Sequence, residues 1–396
     1  MKTPKTRRVL SLSTLFPNPA QPRFGIFVAR SLEALQRDTQ WDVTVINPIG
    51  LPPVAMGRYR ELAAAAQDSE EFGISIHRPV FRLIPKIGGR LNPALIARAV
   101  LPLVRQLHAQ NPFDLVDAQF FYPDGPAAMM IARDLGLPFT VKARGSDIHH
   151  WGARRYGRDA LLKTARAASG VLAVCKALAD DMAMLGMERE KIRVHYTGLD
   201  RDLFRPMDHA GLRARLAQTF DVPVTNEDLL LVTVGALIER KGQALVIKAL
   251  AHLPKGRLLL IGKGEDRASL LALARDVGVA DRVHMLGSLD PAVLPPLLSA
   301  ADAMVLPSAS EGLANAWIEA LACGTPIVIT DAGGAREVVT TPDAGVIVAR
   351  NCRAVREGIE LVTARPRSPE KVAAAVDEFS WAANGKALAA YYDTLV

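Results

Sequence analysis

The sequence predicts an α/β protein built from two doubly wound domains, each with a parallel sheet. Short runs of apolar and β-branched residues alternate with helical segments through both halves of the chain. The length, 396 residues, suits two domains with a hydrophobic core each. Several strand-like runs end in loops rich in glycine or proline, and doubly wound folds place their ligands at such loops.

Charge is distributed unevenly between the two halves. Residues 1–200 contain 27 Lys and Arg against 18 Asp and Glu, whereas residues 201–396 contain 21 against 23. A basic first half indicates an anionic partner, either phosphate groups or an anionic membrane surface. No DNA- or RNA-binding motif accompanies this charge, so we expect no nucleic-acid partner.

Cysteine usage and hydropathy predict a cytoplasmic protein. The three cysteines are scattered without metal-ligand spacing, which indicates a reducing compartment and no disulfide framework. A short apolar run at residues 9–16 is closed by Pro17 and fits a first strand better than a signal peptide. No apolar run reaches the about 18 residues of a membrane-spanning helix.

The first half begins with a strand at residues 8–13 and a long proline-containing loop at residues 14–24. Gly25 then opens a helix that reaches Arg37. Further strands are predicted at residues 42–46, 114–119, 139–143, 170–174 and 192–195.

A basic amphipathic helix is predicted at residues 91–109, where it carries Arg98 and Arg105. Its apolar face would consist of Leu95, Ala99, Leu103 and Leu107. Such a helix can lie on an anionic membrane. A core-packed helix with a solvated basic face and a kink at Pro102 is the commoner structure, and we favour it.

The strand at residues 139–143 ends in Arg144-Gly145-Ser146-Asp147. A fixed cation at this edge could hold a phosphate or an acidic sugar, so Arg144 and Asp147 are site candidates. The alternative is a loop ion pair between these two side chains.

We expect no metal ion. His149 and His150 are adjacent, and two adjacent histidines in a loop rarely converge on one ion. The pattern Asp200-x-Asp202 is also too short to predict a metal, because three-residue matches arise often by chance.

Residues 201–228, with several prolines and charges, indicate the crossing into a second domain. The loop at residues 235–242 contains Arg240-Lys241, and a later loop contains Gly262-Lys263-Gly264. Taken alone, the first is a solvated basic pair and the second a common turn. Strands are predicted at residues 229–234, 258–261, 283–287, 304–306, 327–329 and 346–348.

A helix is predicted at residues 312–322, with Glu311 at its mouth and Glu319 on it. Helical spacing would separate the two carboxylates by ~12 Å along the axis and ~80° around it. That exceeds the ~10 Å limit of a glycosidase acid/base pair and suits two ends of one long polar ligand. The helix N-terminus at Gly312-Leu313 offers N–H groups to a phosphate, and Glu319 could accept hydrogen bonds from a ribose diol. A plain helix with an N-terminal acid and a solvated Glu is the alternative.

Three segments carry a family resemblance: Glu311-Gly312, the run from Glu319 to Pro326, and Gly333-Gly334-x-x-Glu337. Together they resemble the donor-binding signature of the retaining family 4 glycosyltransferases, which have the GT-B fold of two Rossmann-like domains facing a cleft. The resemblance covers nearly the whole chain and is closest to enzymes that build bacterial surface and capsular polysaccharides. It implies an acceptor domain at residues 1–205, a donor domain at 206–378 and a terminal helix at 379–396 that returns to the first domain.

This resemblance also implies ligands and roles. The donor would be a UDP- or GDP-sugar, the acceptor a glycan or lipid-linked glycan, with no metal and no other cofactor. Lys241, with Arg240 beside it, would neutralise the diphosphate, while Glu311 would contact the donor sugar and Glu319 the ribose. Further donor contacts are implied for Gly25, Gly262, Gly312, Leu313, Ala314 and Asn315.

Arg144 and Ala236 are two of the positions at which the sequence departs from the family pattern. Arg144 stands where related enzymes often carry a histidine near the reaction centre, and Ala236 stands where an arginine is common. These departures leave open a nucleotide-sugar-binding protein without turnover. A nucleotide-sugar epimerase of the same fold and a nicotinamide-dependent oxidoreductase are further alternatives, although the first strand lacks the Gly-x-Gly-x-x-Gly that the oxidoreductase would need.

Overall fold

The computed structural model describes residues 7–84, 88–208 and 211–396. The chain divides into two compact units. The first unit contains the described residues up to Gly198 together with the terminal segment Trp381–Val396, and the second unit is Leu199–Ser380. The C-terminal segment therefore belongs to the same unit as the N-terminal half of the chain.

The first unit is an α/β unit in which strands and helices alternate. Its strands are β1 Arg7–Leu12, β2 Trp41–Ile46, β3 Ile49–Leu51, β4 Ser69–Glu71, β5 Ile74–His77, β6 Val80–Arg82, β7 Leu115–Ala118, β8 Phe139–Ala143, β9 Gly170–Ala173 and β10 Ile192–Val194. Its helices are α1 Ile26–Asp38, α2 Arg58–Ala64, α3 Asn92–Gln110, α4 Asp124–Leu135, α5 Ser146–Gly152, α6 Arg155–Ala167, α7 Lys176–Leu185 and the terminal helix Trp381–Tyr392.

Eight of these strands form one sheet in the order β10-β9-β8-β7-β1-β2-β5-β4. The pairs are parallel, except that β4 runs antiparallel to β5. Because β1 lies between β2 and β7, the winding direction of the chain reverses between β1 and β7. Ligands of doubly wound sheets bind at the carboxyl ends of the strands beside such a switch point.

The terminal helix packs on α1 and completes the core of the first unit. Its Leu388 and Tyr392 are buried in one cluster with Leu32 and Trp41. The rings of Trp41 and Tyr392 meet edge to face, with centroids 5.3 Å apart. Removing this helix would expose that apolar cluster to water.

Close packing and polar contacts fix the position of the terminal helix. A Cβ added to Gly385 would lie 2.6 Å from the carbonyl carbon of Ala34 in α1, so only glycine allows this approach. The neighbouring side chain of Asn384 is buried and accepts a hydrogen bond of 2.6 Å from Ser31. The backbone carbonyl oxygen of Asn384 lies 2.9 Å from Nε2 of His195.

The second unit repeats the same architecture. Its strands are β11 Leu229–Val234, β12 Gly256–Ile261, β13 Val283–Gly287, β14 Ala303–Leu306, β15 Ile327–Thr330 and β16 Gly345–Val348. Its helices are α8 Leu212–Phe220, α9 Gln243–Leu250, α10 Arg267–Asp276, α11 Leu294–Ala300, α12 Asn315–Ala322, α13 Ala335–Val338, α14 Cys352–Thr363 and α15 Pro369–Ala373.

The six strands of the second unit form a parallel sheet in the order β13-β12-β11-β14-β15-β16. Here β11 lies between β12 and β14, so the switch point is between the carboxyl ends of β11 and β14. A ligand site is therefore expected at the loops that follow these two strands. The prediction of two Rossmann-like, parallel α/β units is confirmed.

The helix predicted at residues 312–322 begins later than expected. Helix α12 starts at Asn315, and Ala314 is extended with φ −71° and ψ 118°. The carbonyl oxygen of Gly312 accepts a hydrogen bond of 2.7 Å from the N–H of Gly334, which holds this segment as a loop. The helical separation predicted for Glu311 and Glu319 is therefore wrong, because Glu311 lies outside the helix.

Helix α3 is present, but its predicted apolar face was wrong. The buried side chains are Pro93, Ile96, Ala97, Val100 and Val104, one position away from most of the predicted ones. The helix continues through Pro102, and Arg105 forms an ion pair of 2.5 Å with Asp134 of α4. These contacts are those of a helix packed on the core.

No helix within residues 7–84, 88–208 and 211–396 combines the length and the apolar composition needed to cross a bilayer.

Candidate functional site

The loops after β11 and β14 meet at the switch point of the second sheet. The β11 loop ends in a short 3-10 turn, Glu239–Lys241. The N–H of Ala309 in the β14 loop donates to the carbonyl oxygen of Arg240 at 2.7 Å. The Arg240 guanidinium donates in turn to the carbonyl oxygen of Ser310. The two loops therefore form one connected surface.

Three of the predicted site residues form a charged cluster on this surface. The Nζ of Lys241 lies 2.5 Å from one carboxylate oxygen of Glu311, and the Arg240 guanidinium lies 3.4 Å from the other. The side chains of Glu311 and Lys241 are only 8% and 13% exposed, whereas that of Arg240 is 40% exposed. Two cations share one carboxylate, so the cluster keeps a net positive charge that a phosphate group can neutralise.

Glycines let the loops approach this closely. Gly242 has φ +75°, and a Cβ there would lie 2.4 Å from the carbonyl oxygen of Pro307 in the β14 loop. A Cβ on Gly262, in the loop after β12, would lie 1.9 Å from the carbonyl oxygen of Gly235. Gly262 is thus required for loop packing, and its donor contact stays a prediction.

Glu319 lies on α12 with part of its surface accessible. In the part of the chain that the structure describes, its carboxyl group forms no hydrogen bond or ion pair with protein. Burial raises the pKa of this carboxyl to about 7. A partly accessible carboxyl without a protein partner is suited to accept hydrogen bonds from ligand hydroxyls.

The remaining predicted donor contacts form the path from Glu311 into α12. Gly312 belongs to the loop that Gly334 holds, Leu313 is buried, and Ala314 is the N-cap of the helix. The helix N-terminus with its free N–H groups is therefore at Asn315, three residues later than predicted. Along the chain, the positive end of the helix dipole still comes directly after the charged cluster.

Arg350 was not predicted from the sequence, and it contacts both loops that carry the cluster. Its Nε donates to the carbonyl oxygen of Pro307 at 3.1 Å, and its terminal amino group donates to that of Glu239 at 2.9 Å. Arg350 thereby joins the β11 loop to the β14 loop. It belongs to no recognised motif, so only the three-dimensional contact reveals it.

In the first unit, Arg144 follows β8 at the carboxyl edge of the sheet. Its guanidinium donates to the carbonyl oxygen of Gln119 at 3.1 Å and to the side-chain oxygen of the same residue at 2.6 Å. It also lies 4.9 Å from the ring centroid of Phe27. Burial lowers the pKa of Arg144 to about 10, so the group remains cationic at neutral pH.

Asp147 is completely buried, and its hydrogen-bond donors are backbone N–H groups. Its carboxylate accepts hydrogen bonds from the N–H groups of Phe121, Arg144, Gly145 and Ile148 at 2.8–3.1 Å. Among the described residues it forms no side-chain ion pair with Arg144, which was the predicted alternative. These contacts fit a residue that shapes the loop carrying Arg144.

Gly25 begins α1 at the end of the loop that follows β1. Its φ is +71°, and a Cβ there would lie 2.4 Å from the carbonyl oxygen of Leu15. The start of the same loop is held by Asp124, which accepts hydrogen bonds from the N–H and hydroxyl of Thr14 at 2.9 and 2.7 Å. The structure gives Gly25 a conformational role, and its donor contact stays a prediction.

Among residues 7–84, 88–208 and 211–396, no group of three His, Cys, Asp or Glu side chains is placed to hold a metal ion. His149 lies 2.9 Å from Asp181, and Asp200 accepts the N–H groups of Asp202 and Leu203 in a turn. Both candidate metal patterns thus have local structural explanations.

Two family models match the chain. The model described as Glycosyltransferase Family 4 matches residues 25–203, and the model described as Glycosyl transferases group 1 matches residues 215–378. The two matches correspond to the two structural units and together span most of the chain.

The curated relatives that match the chain are named as glycosyltransferases. The chain is 28% identical over 369 residues to TuaC of Bacillus subtilis, which is named for teichuronic acid biosynthesis, and this match covers 89% of the chain and 88% of TuaC. It is 36% identical over 173 residues to the lipopolysaccharide core glycosyltransferase LpsE of Rhizobium meliloti, covering 43% of the chain and 46% of LpsE.

Solved structures share the fold over the full length. Sucrose-phosphate synthase of Thermosynechococcus elongatus matches with a TM-score of 0.77 and 20% identity, covering 98% of this chain and 99% of that one. HepE of Anabaena, solved with UDP and glucose, matches with a TM-score of 0.72 and 20% identity, covering 98% and 100%. At this identity the likeness establishes the fold alone.

Proposed function

Because the chain is a glycosyltransferase of the group 1 family with the GT-B fold, we propose that it transfers a sugar from a UDP- or GDP-sugar to a hydroxyl group of a cell-surface glycan or lipid-linked acceptor, with retention of configuration. The observation that carries the proposal is the cluster of Lys241, Arg240 and Glu311 at the switch point of the second sheet. It offers a net positive charge at the edge where α/β sheets bind ligands.

Lys241 and Arg240 stabilise the charge that develops on the departing nucleoside diphosphate. Lys241 is largely buried and held in place by Glu311, so little reorganisation is needed when the donor binds. The N-terminus of α12, at Asn315, adds the positive end of a helix dipole. Such preorganised electrostatics usually form the largest single contribution to catalysis.

Glu319 binds the ribose of the donor. Its carboxyl group faces no protein partner among the described residues, so two ligand hydroxyls can donate to it. Glu311 contacts the transferred sugar while it neutralises part of the cation cluster. The donor contacts of Gly312, Leu313, Ala314 and Asn315 complete this site.

The leaving phosphate takes the proton of the acceptor. In this step the bond between the sugar C1 and the phosphate oxygen breaks, and C1 forms its new bond to the acceptor oxygen. The hydroxyl proton moves to the departing phosphate oxygen. This route requires neither a metal ion nor a dedicated general base.

The first unit receives the acceptor, and Arg144 is its fixed cation. The guanidinium is held by Gln119 and Phe27 and stays charged at neutral pH, so it can bind a phosphate or an acidic sugar. TuaC and LpsE are named for envelope polysaccharides, which supports an acceptor of that class.

The protein associates with the anionic inner surface of a membrane. The excess of basic residues in positions 1–200 supports this association, since juxtamembrane cations are attracted by anionic lipids. Co-sedimentation with phosphatidylglycerol vesicles tests it: binding should weaken as salt rises and should be absent with phosphatidylcholine alone.

The function is tested first by thermal shift against UDP, GDP, ADP, NAD and their common sugar conjugates. We expect stabilisation by one nucleoside diphosphate and its sugar, followed by product formation with that donor and an acceptor extract. Bound ligand stabilises the native state by an amount that grows with the ratio of free ligand concentration to Kd, so at equal concentrations the shift ranks the donors.

The alternatives give different results in the same experiment. Stabilisation by a nucleotide sugar without any product would identify a binding protein, and conversion of the donor without an acceptor would identify an epimerase. Stabilisation by NAD alone would contradict the transferase assignment.

A further inference from the structure

A pocket of about 560 Å³ lies in the first unit and is lined entirely by residues of that unit. It is lined by residues of α3, α4 and α6, together with Arg90 and Tyr122, which precede α3 and α4. Helix α4 directly follows β7, so its N-terminus lies at the carboxyl edge of the sheet, where ligands of α/β folds bind. The volume is within the range of small-molecule sites.

Part of the lining of this pocket is apolar, and we call this part the floor. Met129, Met130 and Pro126 of α4 line it. Tyr122 and Tyr156 form its aromatic side, and both rings contact Trp151, with centroids 4.5 and 6.0 Å away. Methionine side chains adapt to irregular apolar chains, so this floor suits a flexible hydrocarbon.

Three cations line the same pocket: Arg90, Arg155 and Lys163. All three are exposed, and within the described part of the chain none forms an ion pair or a side-chain hydrogen bond. Asp159 is the acidic residue of the lining and lies one helical turn from Arg155 and from Lys163, yet it pairs with neither. Unpaired cations around a concave site attract an anion.

We propose that this pocket binds the phosphate-bearing end of a lipid-linked acceptor, in which a phosphate or diphosphate ester is attached to a hydrocarbon chain. Arg90, Arg155 and Lys163 bind the phosphate oxygens, and the methionine-lined floor binds the first part of the chain. The inference rests on the proposed transferase function and specifies its acceptor class. Charge complementarity and the adjacent apolar floor together select an anionic amphiphile over a free sugar.

Titration calorimetry with farnesyl diphosphate tests this inference. Inorganic diphosphate and farnesol serve as the two fragments of that probe. We expect the complete amphiphile to bind at least about tenfold more tightly than either fragment, because only it uses both the cations and the apolar floor. Rising salt should weaken its binding. Equal affinity for inorganic diphosphate would overturn the proposal.

The double variant R155A/K163A is expected to bind farnesyl diphosphate about tenfold to a hundredfold more weakly, since each charged contact contributes substantially. The matched control is R166A, which removes an exposed cation of the same helix outside the pocket. An equal loss in R166A, or no loss in the double variant, would contradict the assignment. K163E, which reverses one charge, should weaken binding further than K163A.

The donor site must be excluded as the place of binding. K241A should bind farnesyl diphosphate as the unmodified protein does, and loss of binding there would place the probe in the donor site and overturn the inference. R155A/K163A should retain nucleotide binding, because the donor cluster lies in the second unit. Absence of nucleotide binding from the unmodified protein would instead contradict the proposed function, so the two failures are distinguishable.

Discussion

Lys241 is paired with Glu311, which determines how a donor would bind. Glu311 holds the ammonium group at 2.5 Å and shares its carboxylate with Arg240. An incoming diphosphate does not need to order a free lysine side chain, whose immobilisation would cost up to about 2 kcal/mol. The carboxylate thus keeps the cation in place before the reaction begins.

Replacing Lys241 by alanine should lower kcat about a hundredfold, the usual effect of removing one charge-stabilising donor. The substitution also leaves Glu311 with Arg240 as its remaining cationic partner, so the local field becomes less positive. Steady-state kinetics with saturating donor measures the effect. K248A, which removes an exposed lysine of α9, is the control, and full turnover in K241A would show that the assigned role is wrong.

Glu319 connects the donor site to pH. Its pKa in the folded protein is about 7, against an ordinary value of 4.5. Between these two values the folded protein keeps a proton that the unfolded chain has lost, so stability falls as pH rises from 4.5 to 7. E319Q should escape this loss and become more stable than the unmodified protein by up to about 3 kcal/mol above pH 7.

Urea unfolding at pH 5 and pH 8 measures this difference, which should be present mainly at pH 8. The control E265Q changes an exposed glutamate without an ion pair among the described residues and should show no such pH dependence. If Glu319 binds the ribose as a carboxylate, donor affinity should rise with pH up to about 7 in the unmodified protein and stay flat in E319Q. A pH-independent stability difference would contradict the burial of this carboxyl.

At the level of secondary structure, the sequence predicted regular strands well and special loops poorly. The strands with apolar, β-branched runs, such as β8 and β11, appear where the periodicity placed them. The short strands β3–β6 lacked such runs and were missed. The start of α12 was misplaced because helix propensity is local, whereas the Gly312–Gly334 hydrogen bond that delays the helix is a tertiary contact.

Only the site residues that belong to sequence motifs could be predicted from the sequence. Lys241, Glu311 and Glu319 belong to recognisable patterns, and the structure brings the first two together. Arg350, and the Gln119 and Phe27 contacts of Arg144, come from distant positions of the chain without any spacing rule. Such contacts depend on which strands become neighbours, which no local pattern contains.

The contact between the terminal helix and α1 gives a prediction for a whole element. Gly385→Ala would place a methyl group 2.6 Å from the carbonyl carbon of Ala34, so the helices must separate. We expect the first unit to lose about 1–3 kcal/mol of stability, as in other overpacked cores. Thermal unfolding followed by near-UV circular dichroism measures the loss, with Ala387→Ser on the exposed face of the same helix as the control. Unchanged unfolding in G385A would contradict the close packing.

On the scale of the whole molecule, the second unit should be separable. Leu199–Ser380 has its own parallel sheet and its own hydrophobic core, which includes Leu231, Leu260 and Val328. Expressed alone, this fragment should fold cooperatively and retain nucleotide binding without transferring sugar, because the donor cluster lies entirely within it. Circular dichroism and calorimetry with the preferred nucleotide test this, and an unfolded or non-binding fragment would show that the unit is not autonomous.

The position of the terminal helix has a consequence for the order in which the two units can fold during synthesis. Leu388 and Tyr392 leave the ribosome after the second unit. They nevertheless fill the core of the unit whose first strand leaves it before the second unit. All residues of the second unit precede Trp381, so they leave the exit tunnel before the terminal helix does. Until that helix emerges, the first unit keeps an apolar groove on α1 uncovered, and in that interval a nascent chain of this protein most needs a chaperone.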